Sequence, residues 1–357
     1  MKHELALIPL FEAFVKENYK GKRLKQNGQR LSLGTASNYA NTLKLLKAFE
    51  LNSGFSLRVS TKFPPSRAMK ETKYWKRFYH LFSTFLYKRE KCFDNYVGSV
   101  MKTVRVFLGY LQREKGLPTE RFQRLIFVRK EEVDIITLDI DQLNFLIGCR
   151  SFHQSLPPHL QNTKNIFLFG CATALRYSDL KKLRVSQVSS LYNGVYLSVK
   201  SQKTGAVSKV KLPQFAIEIV KLYSTNKKGH NTIFPLICLR QFNKNLQVIA
   251  EKAGWTYSML KYRQKNGKLL ELFKSRNPSA RFRFCDLVSS HIMRRTAITT
   301  MLMKGVPEVI VRQISGHSSA SPAFYRYVKF TQPYLDHELD RLHQSFSNFH
   351  SVELTEL

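Results

Sequence analysis

The chain has 357 residues, room for two domains at roughly 100 to 200 residues each, and its 43% hydrophobic content with 12 prolines and 16 glycines excludes a disordered or fibrous protein. Lys plus Arg number 58 against 25 Asp plus Glu, a formal charge of +33 with a pI near 10.1. That excess is far beyond what solubility needs and points to a polyanionic partner, nucleic acid ahead of a membrane surface or a ribosome-like scaffold.

In chain order, Leu7 to Tyr19, Thr35 to Leu51, Tyr74 to Tyr87 and Asp94 to Lys115 carry apolar residues at helical spacing. Thr35 and Ser37 are the expected caps of the second helix, Asp94 caps the fourth, and Gly116 stops it. The first 130 residues hold 27 Lys plus Arg against 9 Asp plus Glu, a net +18, so this half is the denser charge carrier. Trp75, Phe78, Tyr79 and Phe82 stand at i, i+3, i+4 and i+7, which predicts a core stripe. Lys73, Lys76 and Arg77 between them form a solvated face able to contact phosphates, and Lys102, Arg105 and Arg295 are expected to do the same.

Residues 128 to 138 mix charge with β-branched residues and lead into the acidic helix start Thr137-Leu-Asp-Ile-Asp. A domain boundary is expected there, with a helical domain over 1–130 and a second domain over 131–357. Further on, Lys164 to Thr173 reads as an apolar helix. Val195 to Lys200 and Lys209 to Leu212 read as strands around the turn Gln202-Lys-Thr-Gly205, and a second strand pair, Tyr257 to Leu260 with Leu269 to Leu272, is expected around Asn266-Gly267. Ser290 precedes a helix ended by Gly305, Pro307 opens the next, Gly316 ends it, and Ser321-Pro322 opens a third. The class is mostly α with small β hairpins, an α+β second domain behind a helical first one.

The five cysteines, Cys92, Cys149, Cys171, Cys238 and Cys285, are odd in number, widely spaced and form no CxxC pair, which argues against a disulfide scaffold or a zinc site. The N-terminus has no apolar signal core, and the longest apolar run, Ile166 to Leu175, is about half of a membrane span. A reduced, soluble, cytoplasmic protein without a membrane partner is expected.

Breaking a phosphodiester without a metal needs cations to neutralise the pentacoordinate phosphorus, an acid for the leaving oxygen, and a nucleophile with a nearby base. Arg176 stands in Ala174-Leu-Arg-Tyr-Ser-Asp-Leu180, after an apolar helix and before a Ser178 cap, where its planar fork suits a phosphate. His291 and Arg294, three apart, share one helix face, while Arg295 points about 100° away. Lys203 sits at a hairpin tip beside Thr204-Gly205, and His317 follows the Gly316 stop, where an imidazole can donate to a phosphate oxygen. Each is commonplace alone.

Their order is not. Ala-Leu-Arg-Tyr-Ser-Asp-Leu, Gln-Lys-Thr-Gly, His-Ile-Met-Arg-Arg-Thr, Ser-Gly-His-Ser-Ser and a following tyrosine resemble the tyrosine recombinase, or phage integrase, family over about residues 135 to 330. The N-terminal half is more loosely similar to that family's core-binding domain. The strand pair at Asn266-Gly267 and Phe324-Tyr-Arg-Tyr-Val-Lys329 look most like members carried by Bacteroidetes mobile elements.

The resemblance implies a C-shaped clamp on duplex DNA. Within it, Arg176 and Arg294 hold the scissile phosphate, Lys203 protonates the 5′ leaving oxygen, His291 takes the tyrosine proton, His317 steadies a non-bridging oxygen and Asp179 orients. It also implies a 3′-phosphotyrosyl intermediate with no metal or other cofactor, specific recombination sites on double-stranded DNA, a homo-tetramer on synapsed sites, accessory DNA-bending proteins, and a bacterial, nucleoid-associated setting. A type IB topoisomerase or an inactive DNA-binding accessory protein are the competing classes.

The family's usual nucleophile position, nine residues after His317, is here Arg326, and tyrosines stand at 325 and 327. Residues two apart on a helix lie about 200° apart, so only one can face the site. Tyr327 shares its face with Phe324 and Val328 and is the expected nucleophile, with Tyr325 as the rival. Leu335, Leu339, Leu342 and Phe346 give a last amphipathic helix, docking either on its own domain or, as the resemblance suggests, on a neighbouring subunit.

Overall fold

Leu7, Phe11, Phe14 and Val15 line one buried face of the first helix, and the same spacing organises the whole N-terminal half. The structure, a computed structural model, describes residues 4–24, 28–62, 64–200, 205, 207–224, 232–275, 280–318, 324 and 332–350. It divides into two units, residues 1–133 with 262–272, and residues 134–261 with 273–357.

The first unit runs β1 (Glu4–Ala6), α1 (Leu7–Tyr19), α2 (Leu33–Ser53), β2 (Arg58–Ser60), α3 (Ala68–Lys88), α4 (Asp94–Lys115) and α5 (Glu120–Gln123), with β1 antiparallel to β2. Its core is aromatic: Phe11, Phe14, Phe49, Phe78, Phe82 and Phe107 are buried together, and Trp75 stacks on Phe122 at 5.4 Å. Trp75, Phe78 and Phe82 lie in the core as their spacing predicts, and Tyr79 is half-buried. Lys73, Lys76, Arg77, Lys102 and Arg105 are exposed, with the Arg77 guanidinium 5.9 Å from the Phe55 ring.

Two expected caps are corrected. α2 begins earlier than its apolar pattern suggests, and Ser32, extended at φ −69° and ψ 148°, accepts from the Thr35 N–H at 3.2 Å, worth about 1 kcal/mol. Thr35 and Ser37 therefore lie inside the helix. Asp94 is not a cap either, since that place falls to Phe93. Its buried carboxylate accepts instead from the Tyr87 hydroxyl at 2.6 Å and from the backbone N–H groups of Asn266 and Gly267 at 2.7 and 2.9 Å.

The second unit begins with α6 (Ile140–Gly148), closed by a reciprocal capping box between Asp139 and Gln142, then α7 (Arg150–Ser155), α8 (Pro158–Thr173) and α9 (Tyr177–Leu180). A three-stranded antiparallel sheet follows, β3 (Val188–Leu191), β4 (Gly194–Lys200) and β5 (Val207–Lys211), one strand more than the spacing of the apolar residues predicts. β3 escapes that reading because Ser189, Ser190 and Leu191 are exposed and carry no alternation. α10 (Gln214–Ser224) and α11 (Leu239–Lys252) lead to β6 (Ser258–Met259).

The hairpin at Asn266-Gly267 exists, but shifted. β7 (Tyr262–Lys265) pairs with β8 (Lys268–Glu271) across Asn266 at φ 53° and Gly267 at φ 79°, two left-handed residues as the tight hairpin turn requires. β6, within the stretch expected to pair with Leu269 to Leu272, joins β9 (Phe282–Arg283) instead. The hairpin belongs to the first unit, where Glu131 anchors it as Asp94 does, so a single cut at 130 does not describe the division. The chain closes with α12 (Phe284–Leu287), α13 (Ser290–Met303), α14 (Glu308–Ser315) and α15 (Gln332–His350). On α15, Leu339, Leu342 and Phe346 are exposed.

α8 carries much of the second unit's core, with Leu160, Ile166, Phe167, Leu168 and Phe169 all buried. α13 packs closely on it at Gly170, where a Cβ would collide with the Met293 thioether. This close approach brings the first half of α13 to the C-terminal end of α8.

Candidate active site

α8 ends on Ala174 in the left-handed region at φ 54°, a backbone conformation that costs a residue with a Cβ roughly 1–2 kcal/mol. The turn has a use: the Ala174 carbonyl accepts from Nη1 of Arg294 at 2.6 Å. Two residues later Arg176 itself caps α9, with the Asp179 N–H on its carbonyl at 2.9 Å. Ser178 lies inside that short helix and is not the cap its sequence context suggested. Arg176 is half-buried, Asp179 buried, and Arg294 one of the largest fully buried side chains at 1% exposure.

Arg294 also meets His317, its Nη2 lying 3.2 and 3.1 Å from Nδ1 and Nε2 of the ring. A guanidinium can only donate, so one ring nitrogen must be bare. The Ser315 hydroxyl donates to the Val311 carbonyl at 2.7 Å and lies 2.8 Å from Nδ1, a pattern that fits Nδ1–H donating to the Ser315 oxygen. Nε2 is then the bare nitrogen facing Arg294. Burial, followed by the charges of Arg294, Arg176 and Arg312, lowers the imidazole pKa to about 3.

His317 is thus a neutral acceptor in the free protein. Because its native pKa lies below the unfolded value near 6.5, its contribution to stability is complete above that pH and declines as pH falls from there toward about 3. Ring nitrogen shifts measured by NMR at pH 6 are expected to show a neutral His317. A doubly protonated ring at that pH would contradict the arrangement.

The other predicted residues are distributed unevenly. His291 is exposed on the first turn of α13, three positions before Arg294, and Arg295 is half-buried on the next face. Lys203, Tyr325 and Tyr327 lie outside the described residues, as does the helix expected to open at Ser321-Pro322, although Gly205 at the same hairpin takes φ 73°. Arg176, Arg294 and His317 are brought together; Phe324 joins them, buried against Ala174, Ala297, Ile298 and Val311, its ring 5.3 Å from that of His317.

Sequence reasoning missed Arg312. It lies 4.2 Å over the Phe324 ring, donates to the Ser318 carbonyl at 3.1 Å and pairs with Glu308 at 2.6 Å. The i, i+4 Glu308–Arg312 spacing was a signal for it, but one that usually marks only a solvated helix face. Among the described residues no group of three or more His, Cys, Asp or Glu is placed to hold a metal, and no helix is long and apolar enough to cross a membrane.

A mostly helical chain of high positive charge, with two arginines and a histidine gathered at the end of a buried helix, has the make-up of a DNA strand-transferring recombinase. The model of the phage integrase family matches residues 137–332, and the chain belongs to that family of tyrosine recombinases. No curated protein matches the sequence.

Among solved structures the chain is similar to the Tn1549 transposon integrase in complex with circular intermediate DNA, at 13% identity and a TM-score of 0.58 over 94% of this chain and 99% of that one. It is also similar to the XerH site-specific recombinase bound to palindromic difH substrate, at 12% identity and a TM-score of 0.61 over 97% and 96% of the two chains. A lambda integrase dimer bound to a COC′ core site matches at 14% identity and a TM-score of 0.56 over 92% and 97%. At such identities the likeness establishes the fold.

Proposed function

We propose that this site-specific recombinase cleaves and rejoins duplex DNA at paired target sites through a 3′-phosphotyrosyl bond, integrating, excising or inverting a mobile element. The observation that carries the reading is the convergence of Arg294, Arg176 and His317, with Arg294 buried and held by the Ala174 carbonyl. Arg176 and Arg294 clamp the scissile phosphate, where fixed cations stabilise the charge of the pentacoordinate transition state. Lys203 protonates the 5′ leaving oxygen, His291 receives the tyrosine proton, and Asp179 orients the loop that carries Arg176. The phosphodiester energy is conserved in the new ester, so rejoining needs neither ATP nor a metal.

For His317 to steady a non-bridging oxygen, its bare Nε2 must gain a proton, because Nδ1 is committed to Ser315. A phosphate dianion-like charge beside the ring supplies the opposing field that raises its pKa. Tyr327 is the nucleophile, with Tyr325 its rival. The burial of Phe324 supports this choice, since on a helix residue 327 shares the face of residue 324.

Exposed Lys73, Lys76, Arg77, Lys102 and Arg105, with half-buried Arg295, contact the DNA backbone, and the active form is a tetramer on synapsed sites in a bacterial cell, assisted by accessory DNA-bending proteins. A nicked suicide duplex carrying the target site, incubated in EDTA, is expected to trap a covalent adduct whose peptide map ends at Tyr327. Adduct at Tyr325 would reassign the nucleophile. Loss of the adduct in EDTA would overturn the metal-free chemistry.

A further inference from the structure

Away from these residues, the second unit holds a cavity of about 350 Å³ among α6, α7, α8 and α10. Its lining is mixed in chemistry. Leu168 of α8 and Phe215, Ile219 and Leu222 of α10 supply apolar surface, and Arg150 and His153 of α7 with Lys164 of α8 supply basic groups.

Lys164 is the unusual member, a lysine only 4% exposed. A buried ammonium must be compensated. Its Nζ donates to the Leu146 carbonyl at 2.6 Å, an acceptor left over at the end of α6, but an ammonium has three N–H groups and this contact uses one. Beside it, Nδ1 of His153 is buried with no hydrogen-bond partner among the described residues. Burial, then the Lys164 charge, hold the His153 pKa below its ordinary value, so the ring is neutral and can present an N–H at Nδ1.

The charge balance selects the ligand. Lys164, whose pKa burial lowers from the ordinary lysine range, and exposed Arg150 are basic groups of the lining, and exposed Glu218 is its one carboxylate, with Oε1 already accepting from Gln214 at 3.1 Å. The net positive charge calls for a single negative one, and the apolar surface calls for a hydrocarbon body.

We propose that this cavity binds a small monoanion with an aliphatic tail, a medium-chain carboxylate, whose head accepts from Lys164 and His153 and whose tail lies along Phe215, Ile219 and Leu222 of α10. Two charge-assisted hydrogen bonds at a desolvated head distinguish it from a neutral molecule of the same length.

Titration of the full chain with octanoate, octanol and octylamine, followed by calorimetry and by methyl NMR of Ile147 and Ile219, tests this. Octanoate is expected to bind saturably and at least about tenfold more tightly than octanol, the discrimination one charge-assisted hydrogen bond provides, with octylamine weakest. Lys164→Met is expected to weaken octanoate binding at least about tenfold and to shrink its advantage over octanol to what the His153 contact alone supports. Should that variant fail to fold, His153→Phe is expected to narrow the gap and Leu222→Trp, which fills the mouth, to abolish binding of both. Absence of saturable octanoate binding, equal binding of octanoate and octanol, or octanoate binding unchanged in the folded variants overturns the proposal.

Discussion

Replacing Arg294 with lysine is expected to leave the chain folded and DNA-bound yet slow strand cleavage by about 10²- to 10³-fold, the usual cost of removing one preorganised donor from a transition state. Lysine keeps the charge and loses the fork. In the native site one guanidinium nitrogen holds the Ala174 carbonyl at 2.6 Å while the other reaches His317, a division of labour that a single ammonium at the end of a flexible stem cannot reproduce. Single-turnover accumulation of the covalent adduct on a nicked duplex, beside an equilibrium binding assay, separates chemistry from affinity. Cleavage at the unaltered rate would show that the guanidinium does not hold the phosphate. An independent readout is available at His317: Arg294→Ala removes one of the charges depressing its pKa, so the imidazole is expected to titrate closer to its ordinary value.

The second large effect is structural. Arg263→Ala is expected to destabilise the first unit by about 3–5 kcal/mol, because it leaves the buried Glu131 charge without its cation, held by backbone N–H groups alone. The Glu131 side chain is 0% exposed and accepts from Nε and Nη2 of Arg263 at 2.9 and 2.6 Å, from the Gln264 N–H, and at longer range from the Asn95 N–H. Asn95 returns the contact, accepting from the Glu131 N–H at 3.1 Å and donating to its carbonyl at 3.0 Å.

Burial by itself would raise the Glu131 pKa; the hydrogen bonds from Arg263, Gln264 and Asn95 outweigh it and hold the carboxyl below its ordinary value. A depressed carboxylate contributes fully above the unfolded value near 4.3 and loses that contribution as pH falls through the native one. Chemical denaturation at pH 7 and at pH values descending from 4 to 2 measures both effects. The double variant Glu131→Gln with Arg263→Met is expected to recover most of the loss, since it removes the charge along with its partner. A single variant as stable as the native chain would show that the pair contributes nothing.

These two residues also mark where local reading of the chain stops. Glu131 and Asp94 are unremarkable in sequence, one in a charged stretch and one at a helix start. Their partners lie more than a hundred positions away, Arg263 for the first and Asn266 with Gly267 for the second. The Asn-Gly turn was legible because its chemistry is local: two left-handed residues close a hairpin whatever surrounds it. Which unit that hairpin joins was not, because docking depends on buried carboxylates supplied from elsewhere in the chain.

The catalytic constellation divides in the same way. Sequence alone determined the helices from their apolar spacing, the stops at Gly116 and Gly316, the aromatic stripe of Trp75, Phe78 and Phe82, and the strong positive charge that suits a polyanion. All of these follow from period, charge and local turn chemistry. Only the tertiary structure decided that Arg294 is buried, that Ala174 bends left-handed to meet it, that Ser315 meets the His317 ring, and that Arg312 joins the group. Those outcomes depend on desolvation and on hydrogen bonds between segments far apart in the chain, quantities that no run of neighbouring residues contains.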